Sequence, residues 1–142
     1  VLIVPFHKEE EKIVVIRQFR VPINSYIYEM PAGLIDKGES PQTAITRELK
    51  EETGLDGIEI LKNTVKGQLF LSPGMTDESV TSVFCTCGGT ISKAYMEEDE
   101  DIEPILLSQK EAQELLIKDI KFDIKCYIYL QEFAKSGNEM FK

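Results

Sequence analysis

The sequence predicts an α+β or α/β sandwich. Short runs rich in β-branched and apolar residues indicate strands, a capped segment in the first half of the chain indicates a helix, and two further helical segments lie near its end. A length of 142 residues suits one domain with a hydrophobic core. We therefore treat residues 1–142 as a single domain.

Six segments have the composition of strands. The first two, residues 1–6 and 12–19, flank a charged turn and are expected to pair as a hairpin. The fourth is expected to form one or two strands, with a bend or bulge at Lys66 and Gly67. The predicted strands are residues 1–6, 12–19, 26–30, 58–71, 78–87 and 102–107.

Three helices are predicted from their end signals. In the first, Ser40 is the N-cap, Pro41 suits the first helical position and Gly54 ends the helix. The second is capped by Ser108 and reaches about residue 118. The third covers residues 123–135 and carries an apolar stripe that is typical of core packing.

The first predicted helix carries a cluster of acidic residues. At about 100° per residue, Glu48 and Glu52 lie roughly 40° apart, and Glu51 lies about 60° to the other side of Glu48. This placement is locally unfavourable, because like charges repel at this spacing and acids oppose the helix dipole in a last turn. A solvated acidic face with Arg47 and Lys50 as counter-charges is one interpretation. A site for a hard divalent cation is the other.

The wider pattern around this helix favours the cation site. Seven residues occupy all the fixed positions of the pattern G-x5-E-x7-R-E-U-x-E-E-x-G-U, where U is apolar. The probability that seven fixed positions match by chance is on the order of 10⁻⁹ for each possible starting residue. The chain therefore resembles a Nudix hydrolase. The resemblance implies an α/β/α sandwich with a mixed sheet. The matching residues are Gly33, Glu39, Arg47, Glu48, Glu51, Glu52 and Gly54, with Leu49 and Leu55 at the apolar positions.

The resemblance implies a metal-dependent hydrolase that cleaves a nucleoside diphosphate linked to another group. By motif position, Glu48 and Glu52 are the expected ligands of Mg²⁺, or alternatively of Mn²⁺. Glu51 is a further or water-mediated ligand, and the Ala32 carbonyl is a backbone ligand, with Gly33 allowing close approach of the backbone.

Two other residues of the motif are expected to support the site. Arg47 is expected to orient a neighbouring glutamate rather than to contact substrate, and Glu39 to tie the loop to the helix.

Flanking residues resemble the ADP-ribose pyrophosphatase subgroup. On that resemblance Arg20 and Glu29 contact substrate, although Arg20 is equally consistent with a surface cation. Pro73 and Gly74 fit a proline-containing substrate loop, although the spacing is longer than the subgroup leads us to expect.

The subgroup's general base lies on a loop before a late strand. The five consecutive acids at residues 97–101 occupy that place. We prefer Glu100, with Glu98 or the motif residue Glu51 as alternatives. A solvated loop is the ordinary reading of such a charge run.

Composition limits the partners. A net charge of −9 argues against nucleic acid and anionic membranes as partners. Three cysteines without a disulfide pattern suggest a reducing cytoplasm. By resemblance the protein is expected to be a homodimer, and an N-terminal region used for dimerisation is expected to be missing, since the chain starts at Val1.

The cysteines and the single histidine are expected to have structural roles. Cys85 and Cys87 point to one face of a strand and are interpreted as buried residues rather than as a metal or redox pair. Cys126 is assigned to the core, and His7 is expected to cap a turn.

Three functions are compared. The first is a pyrophosphatase that releases AMP and a sugar phosphate from ADP-ribose or a related nucleotide sugar. The second is hydrolysis of GDP-mannose or another nucleotide sugar by the same core. The third is a sensor that binds a nucleotide sugar without cleaving it, which the intact motif and the acidic chain disfavour.

Overall fold

A computed structural model describes residues 1–62 and 66–142. Seven strands and three α-helices form three layers in the described part of the chain, which confirms the predicted α/β/α sandwich with a mixed sheet. The strands are β1 (Leu2–His7), β2 (Lys12–Arg20), β3 (Ser25–Glu29), β4 (Asp56–Ile60), β5 (Lys66–Phe70), β6 (Ser79–Gly88) and β7 (Ile102–Leu107). The helices are α1 (Pro41–Thr53), α2 (Gln109–Leu116) and α3 (Ile124–Ser136), with 3₁₀ turns at Val21–Ile23 and Gly137–Phe141.

Strands β2 and β6 are the two hubs of the sheet. β2 pairs with β7 along one edge and with β1 and β3 at the two ends of its other edge, always antiparallel. β6 pairs in parallel with β1 on one side and antiparallel with β4 and β5 on the other. The predicted β1–β2 hairpin is confirmed. It is held through only two residue pairs, whereas β1 pairs with β6 over its full length.

The two faces of the sheet pack against different helices, as the alternation of side chains along a strand requires. Leu2, Val4 and Phe6 of β1 join the core under α2 and α3. Ile3, from the same strand, joins the core under α1. Helix α1 is therefore the helix on this face, and the loop between β3 and α1, which contains Gly33, contacts it.

Several local predictions are confirmed and some boundaries move. Ser40 Oγ accepts a hydrogen bond from Thr43 N at 3.1 Å, and Gly54 ends α1 with a φ of 79°. A register irregularity after Lys66 matches the expected bulge in β5. The 58–71 segment is two strands, and its residues 63–65 lie outside the described residues. Helix α2 ends two residues earlier than predicted.

The cysteines and the histidine have structural environments. Cys85 and Cys87 are buried in the core under α1, and Cys126 of α3 is buried in the core on the other face of the sheet, as expected. His7 Nδ1 accepts from Glu10 N at 3.2 Å, so His7 caps the turn after β1. Every helix in the described part of the chain is too short or too polar to cross a bilayer.

Candidate active site

Helix α1 carries Glu48 and Glu52 to the wall of a cleft. The buried residues Ala44, Ile45 and Leu49 fix the helix on the sheet. This packing sets the rotation of the helix, because residues one turn apart share a face. Glu52 is only 5% exposed. The two carboxylates are thus held on the inner side of the helix, next to the Gly33 loop.

The loop before α1 is fitted to these carboxylates. A Cβ atom at Gly33 would lie 1.9 Å from Glu48 Cδ, so only glycine leaves the Glu48 carboxylate its place. Ala32 N donates to Glu52 Oε2 at 3.1 Å. Ala32 therefore lies beside the predicted metal ligand Glu52. The hydrogen bond between them is made by the Ala32 N–H group, whereas the resemblance leads us to expect the Ala32 carbonyl to bind the cation.

Arg47 is the centre of an ionic network that joins the loop to the helix. It forms a two-pronged pair with Glu39, Nε to Oε1 and Nη2 to Oε2, both at 3.0 Å. Its Nη1 donates to Glu48 at 2.8 Å and to Glu51 at 3.1 Å. Its Nη2 also donates to the Leu34 carbonyl at 3.0 Å. These bonds match the orienting role expected of Arg47 and the tying role expected of Glu39.

The surroundings of Glu48 and Glu52 disfavour the ionised form of both carboxylates. Burial raises the pKa of Glu52 to about 9, and repulsion from Glu48, Glu100 and Glu29 adds to this rise. Burial also raises the pKa of Glu48, and the Arg47 guanidinium partly offsets this rise. Neighbouring positive charge would relieve both effects.

A cleft of about 720 Å³ opens beside these residues. Its size is within the range of small-molecule sites. The charged side chains that line it come from the β2–β3 hairpin, α1, the loops before β6 and β7 and the start of α3. They are Arg20, Glu29, Glu48, Glu52, Glu78, Glu100, Asp123 and Lys125, and Gln18 of β2 lies among them.

Arg20 and Glu29 form one unit on the part of the cleft wall that the β2–β3 hairpin contributes. Arg20 Nε and Nη2 each lie 3.0 Å from Glu29 Oε2. Gln18 Nε2 donates to the same oxygen. The Glu29 side chain is 15% exposed and that of Arg20 is 52% exposed, so the guanidinium stays available at the cleft surface.

Burial separates Glu100 from the other acids of its loop. Glu100 is half-buried and lines the cleft, whereas Glu98 and its other acidic neighbours are exposed. Glu100 Oε2 accepts from Glu97 N at 3.1 Å, which holds its carboxylate close to the loop. Glu100 is near enough to raise the pKa values of both Glu48 and Glu52.

The cleft brings together most, but not all, of the predicted site residues. Ala32, Glu48, Glu52, Glu100, Arg20 and Glu29 line it. Glu51 is turned to Arg47, and Glu98, Pro73 and Gly74 do not line the cleft. Leu71 and Glu78, at the two ends of the proline-containing loop, do line it.

The chemistry of the donor set fits a hard divalent cation. Glu48 and Glu52 repel each other in a poorly solvated position, and Gly33 leaves room for the Glu48 carboxylate beside the loop, so oxygen ligands for a cation are close together. Among residues 1–62 and 66–142, no three acidic, histidine or cysteine side chains already converge as a metal cage. Glu48 and Glu51 instead bond to Arg47, so both would have to share or exchange that contact on binding a cation.

Two lining residues were missed as functional residues by sequence reasoning. Lys125 lies in the first turn of α3, pairs with Asp123 Oδ2 at 2.6 Å and lines the cleft. It lies 73 positions after Glu52, and only the packing of α3 brings it near. Gln18 carried a weak signal, since it lies on the same strand face as Arg20.

Comparison with known proteins gives consistent results. The NUDIX domain family model matches residues 1–128. The chain is 34% identical over 125 residues to the ADP-ribose pyrophosphatase of Bacillus subtilis (strain 168), a match that covers 87% of this chain and 65% of that protein. It is 30% identical over a 146-residue alignment to the GDP-mannose pyrophosphatase of Enterobacter sp. (strain 638), covering 93% and 71%.

Structural comparison agrees at the level of the fold. The chain superposes on the crystal structure of a C. elegans Ap4A hydrolase binary complex with a TM-score of 0.60 and 17% sequence identity. The match covers 93% of this chain and 92% of that one. The sequence matches, rather than this shared fold, confirm the resemblance to ADP-ribose pyrophosphatases.

Proposed function

The chain belongs to the Nudix family, and we propose that it hydrolyses the pyrophosphate bond of ADP-ribose or a related nucleoside diphosphate sugar with the help of a divalent cation. The products would be AMP and a sugar phosphate. The relative named ADP-ribose pyrophosphatase supports this substrate class.

The observation that carries the proposal is the composition of the cleft. It combines a buried carboxylate, Glu52, with two half-buried carboxylates, Glu48 and Glu100, and two cationic side chains, Arg20 and Lys125. A binding site for a simple neutral ligand has no need of this arrangement. Hydrolysis of a diphosphate needs anion neutralisation, an activated water and a stabilised leaving group.

The residues that would hold the cation are Glu48 and Glu52, with Glu51 and the Ala32 carbonyl as further ligands. When bound, Mg²⁺ or Mn²⁺ supplies Lewis-acid stabilisation of negative charge on phosphate oxygens. A cation also offsets the overall charge of −9, which repels an anionic substrate.

Side chains of the protein, besides the cation, bind and orient the substrate. Arg20 is held by Glu29 with its guanidinium exposed to the cleft, and Lys125 also lines the cleft, so both can pair with phosphate or sugar oxygens. Glu100 is the proposed general base, which takes a proton from the attacking water. A half-buried carboxylate that lines the cleft is placed for that role.

The second candidate substrate is GDP-mannose. The named GDP-mannose pyrophosphatase matches a larger share of this chain, although at lower identity. The further expectations, a homodimer in a reducing cytoplasm, rest on the family resemblance and on the three free cysteines.

The test is a screen of ADP-ribose, GDP-mannose, other nucleotide sugars and Ap4A, each with Mg²⁺ or Mn²⁺ and with identification of the products. AMP with ribose 5-phosphate would support the leading substrate, and GMP with mannose 1-phosphate the second. Tight ADP-ribose binding without any product would favour the sensor and contradict the proposal.

A further inference from the structure

The loop that carries Glu100 is anchored to the sheet through the next residue, Asp101. The Asp101 carbonyl accepts a hydrogen bond from Phe19 N at 3.3 Å, a long contact at the limit of hydrogen bonding. Its carboxylate Oδ2 accepts from the Tyr26 hydroxyl. Strand β7 begins at the following residue, so Asp101 is the last fixed point before the loop turns into the cleft.

Tyr26 acts from outside the cleft. In an antiparallel pair, opposed residues share a face and successive residues alternate. Gln18, Arg20 and Glu29 project from the face of the β2–β3 hairpin that lines the cleft. Phe19 and Tyr26, which lie opposite each other, project from the reverse face. Tyr26 therefore reaches the site only through Asp101 and the loop.

The ring of Tyr26 is held independently of its hydroxyl. Phe19 packs edge-on against it with ring centroids 5.5 Å apart, and the Arg17 guanidinium carbon lies 4.1 Å from its centroid. Arg17 is itself paired with Glu103 of β7 at 3.5 Å. Replacement by phenylalanine would thus remove the bond to Asp101 and keep the packing of the ring.

We propose that Tyr26 is a positioning residue whose hydrogen bond to Asp101 fixes the loop that presents Glu100 to the substrate. The inference rests on the proposed hydrolysis, and Tyr26 itself makes no contact with substrate in it. Without this bond, the long Phe19 contact alone would hold the loop at Asp101, and the Glu100 carboxylate would occupy its working position for a smaller fraction of the time.

The kinetic test is a double-mutant cycle between Tyr26 and Glu100. Tyr26→Phe should lower kcat about fivefold to tenfold and leave KM within about twofold, because one hydrogen bond is lost and substrate contacts remain. In a Glu100→Gln background the same change should have no further effect. Tyr28→Phe is the matched control, since Tyr28 lies on the same strand as Tyr26 and packs its ring on Phe122.

Either of two results for Tyr26→Phe would overturn the inference: an unchanged kcat, or an equal loss in both backgrounds, which would indicate a general structural role. A Glu100→Gln variant with wild-type activity would overturn it as well.

Hydrogen exchange separates this inference from the proposed function. Tyr26→Phe should speed amide exchange at residues 97–101, including the Glu100 N–H that bonds to the Glu97 carbonyl, and leave α1 unchanged. This readout needs no substrate. If the wild-type protein cleaves no nucleotide sugar, the proposed function fails on the screen, while unaltered exchange in the loop would reject the Tyr26 anchor by itself.

Discussion

Gly33 and Glu48 are matched in space: a Cβ atom at position 33 would lie 1.9 Å from Cδ and 2.0 Å from Oε1 of Glu48. The two residues lie on different elements, a loop and a helix. Their contact makes glycine at position 33 a requirement of the site rather than of the backbone, whose φ angle there is not among the positive ones.

Gly33→Ala should therefore displace the Glu48 carboxylate and leave the fold largely intact. We expect kcat/KM to fall by about tenfold to a hundredfold and the Mg²⁺ concentration needed for half-maximal activity to rise. Gly88→Ala is the control, because a Cβ atom there meets nothing within 4 Å. Equal activities for the two variants would show that Glu48 tolerates displacement.

Arg47→Lys should weaken the link between the loop and α1. Lysine keeps the charge and cannot form the two-pronged pair with Glu39 or the parallel bonds to Glu48 and Leu34. We expect the Tm to fall by roughly 3–6 °C and activity to fall with it. A variant with the wild-type Tm would mean that the network stabilises neither the loop nor the helix.

The stability of the metal-free protein should depend on the ionisation of Glu52. Its pKa is raised from 4.5 to about 9, so the folded state binds this proton more tightly than the unfolded state does. The stabilisation of the fold by this bound proton is complete below about pH 4.5 and is lost as the pH rises toward 9. We therefore expect the Tm, measured in EDTA, to fall over this pH range. The fall should be smaller in Glu52→Gln, because glutamine cannot ionise.

Mg²⁺ provides the control for the Glu52 prediction. At pH 8 the cation should raise the Tm of the wild-type protein, since it binds only the folded state, and should raise that of Glu52→Gln much less. The same Tm curves for both proteins, with and without the cation, would contradict the role of Glu52.

Glu100→Gln and Glu98→Gln test the general base directly. Both acids lie in one loop, but only Glu100 lines the cleft. Glu100→Gln should lower kcat by about 10² to 10⁴ and change KM little. Glu98→Gln should stay within about twofold of wild type, as an exposed surface change does. The reverse order of effects would move the base to Glu98.

Signals that are local in sequence predicted the centre of the fold and of the site. Ser40, Pro41 and Gly54 fix the bounds of α1 through hydrogen bonds and conformations that involve near neighbours only. The spacing of Glu48 and Glu52 then determines the face that they share. Both features need no knowledge of the rest of the chain, which is why sequence reasoning sufficed.

Features that depend on tertiary packing could not be predicted in this way. Lys125 reaches the cleft because α3 packs on the sheet. The choice between Glu98 and Glu100 depends on which way a short loop turns, and the preference for Glu100 had no physical basis until their burial was known. Pro73 and Gly74 lie in a loop whose ends, rather than its tip, line the cleft.

The central claim is that the acidic face of α1 holds a divalent cation. The most direct measurement is an anomalous difference map from crystals grown with Mn²⁺, with Glu48→Gln/Glu52→Gln crystals as the control. We predict a peak within about 2.5 Å of carboxylate oxygens of both Glu48 and Glu52, and no peak in the double variant. A wild-type map without density there, at millimolar Mn²⁺, would contradict the account.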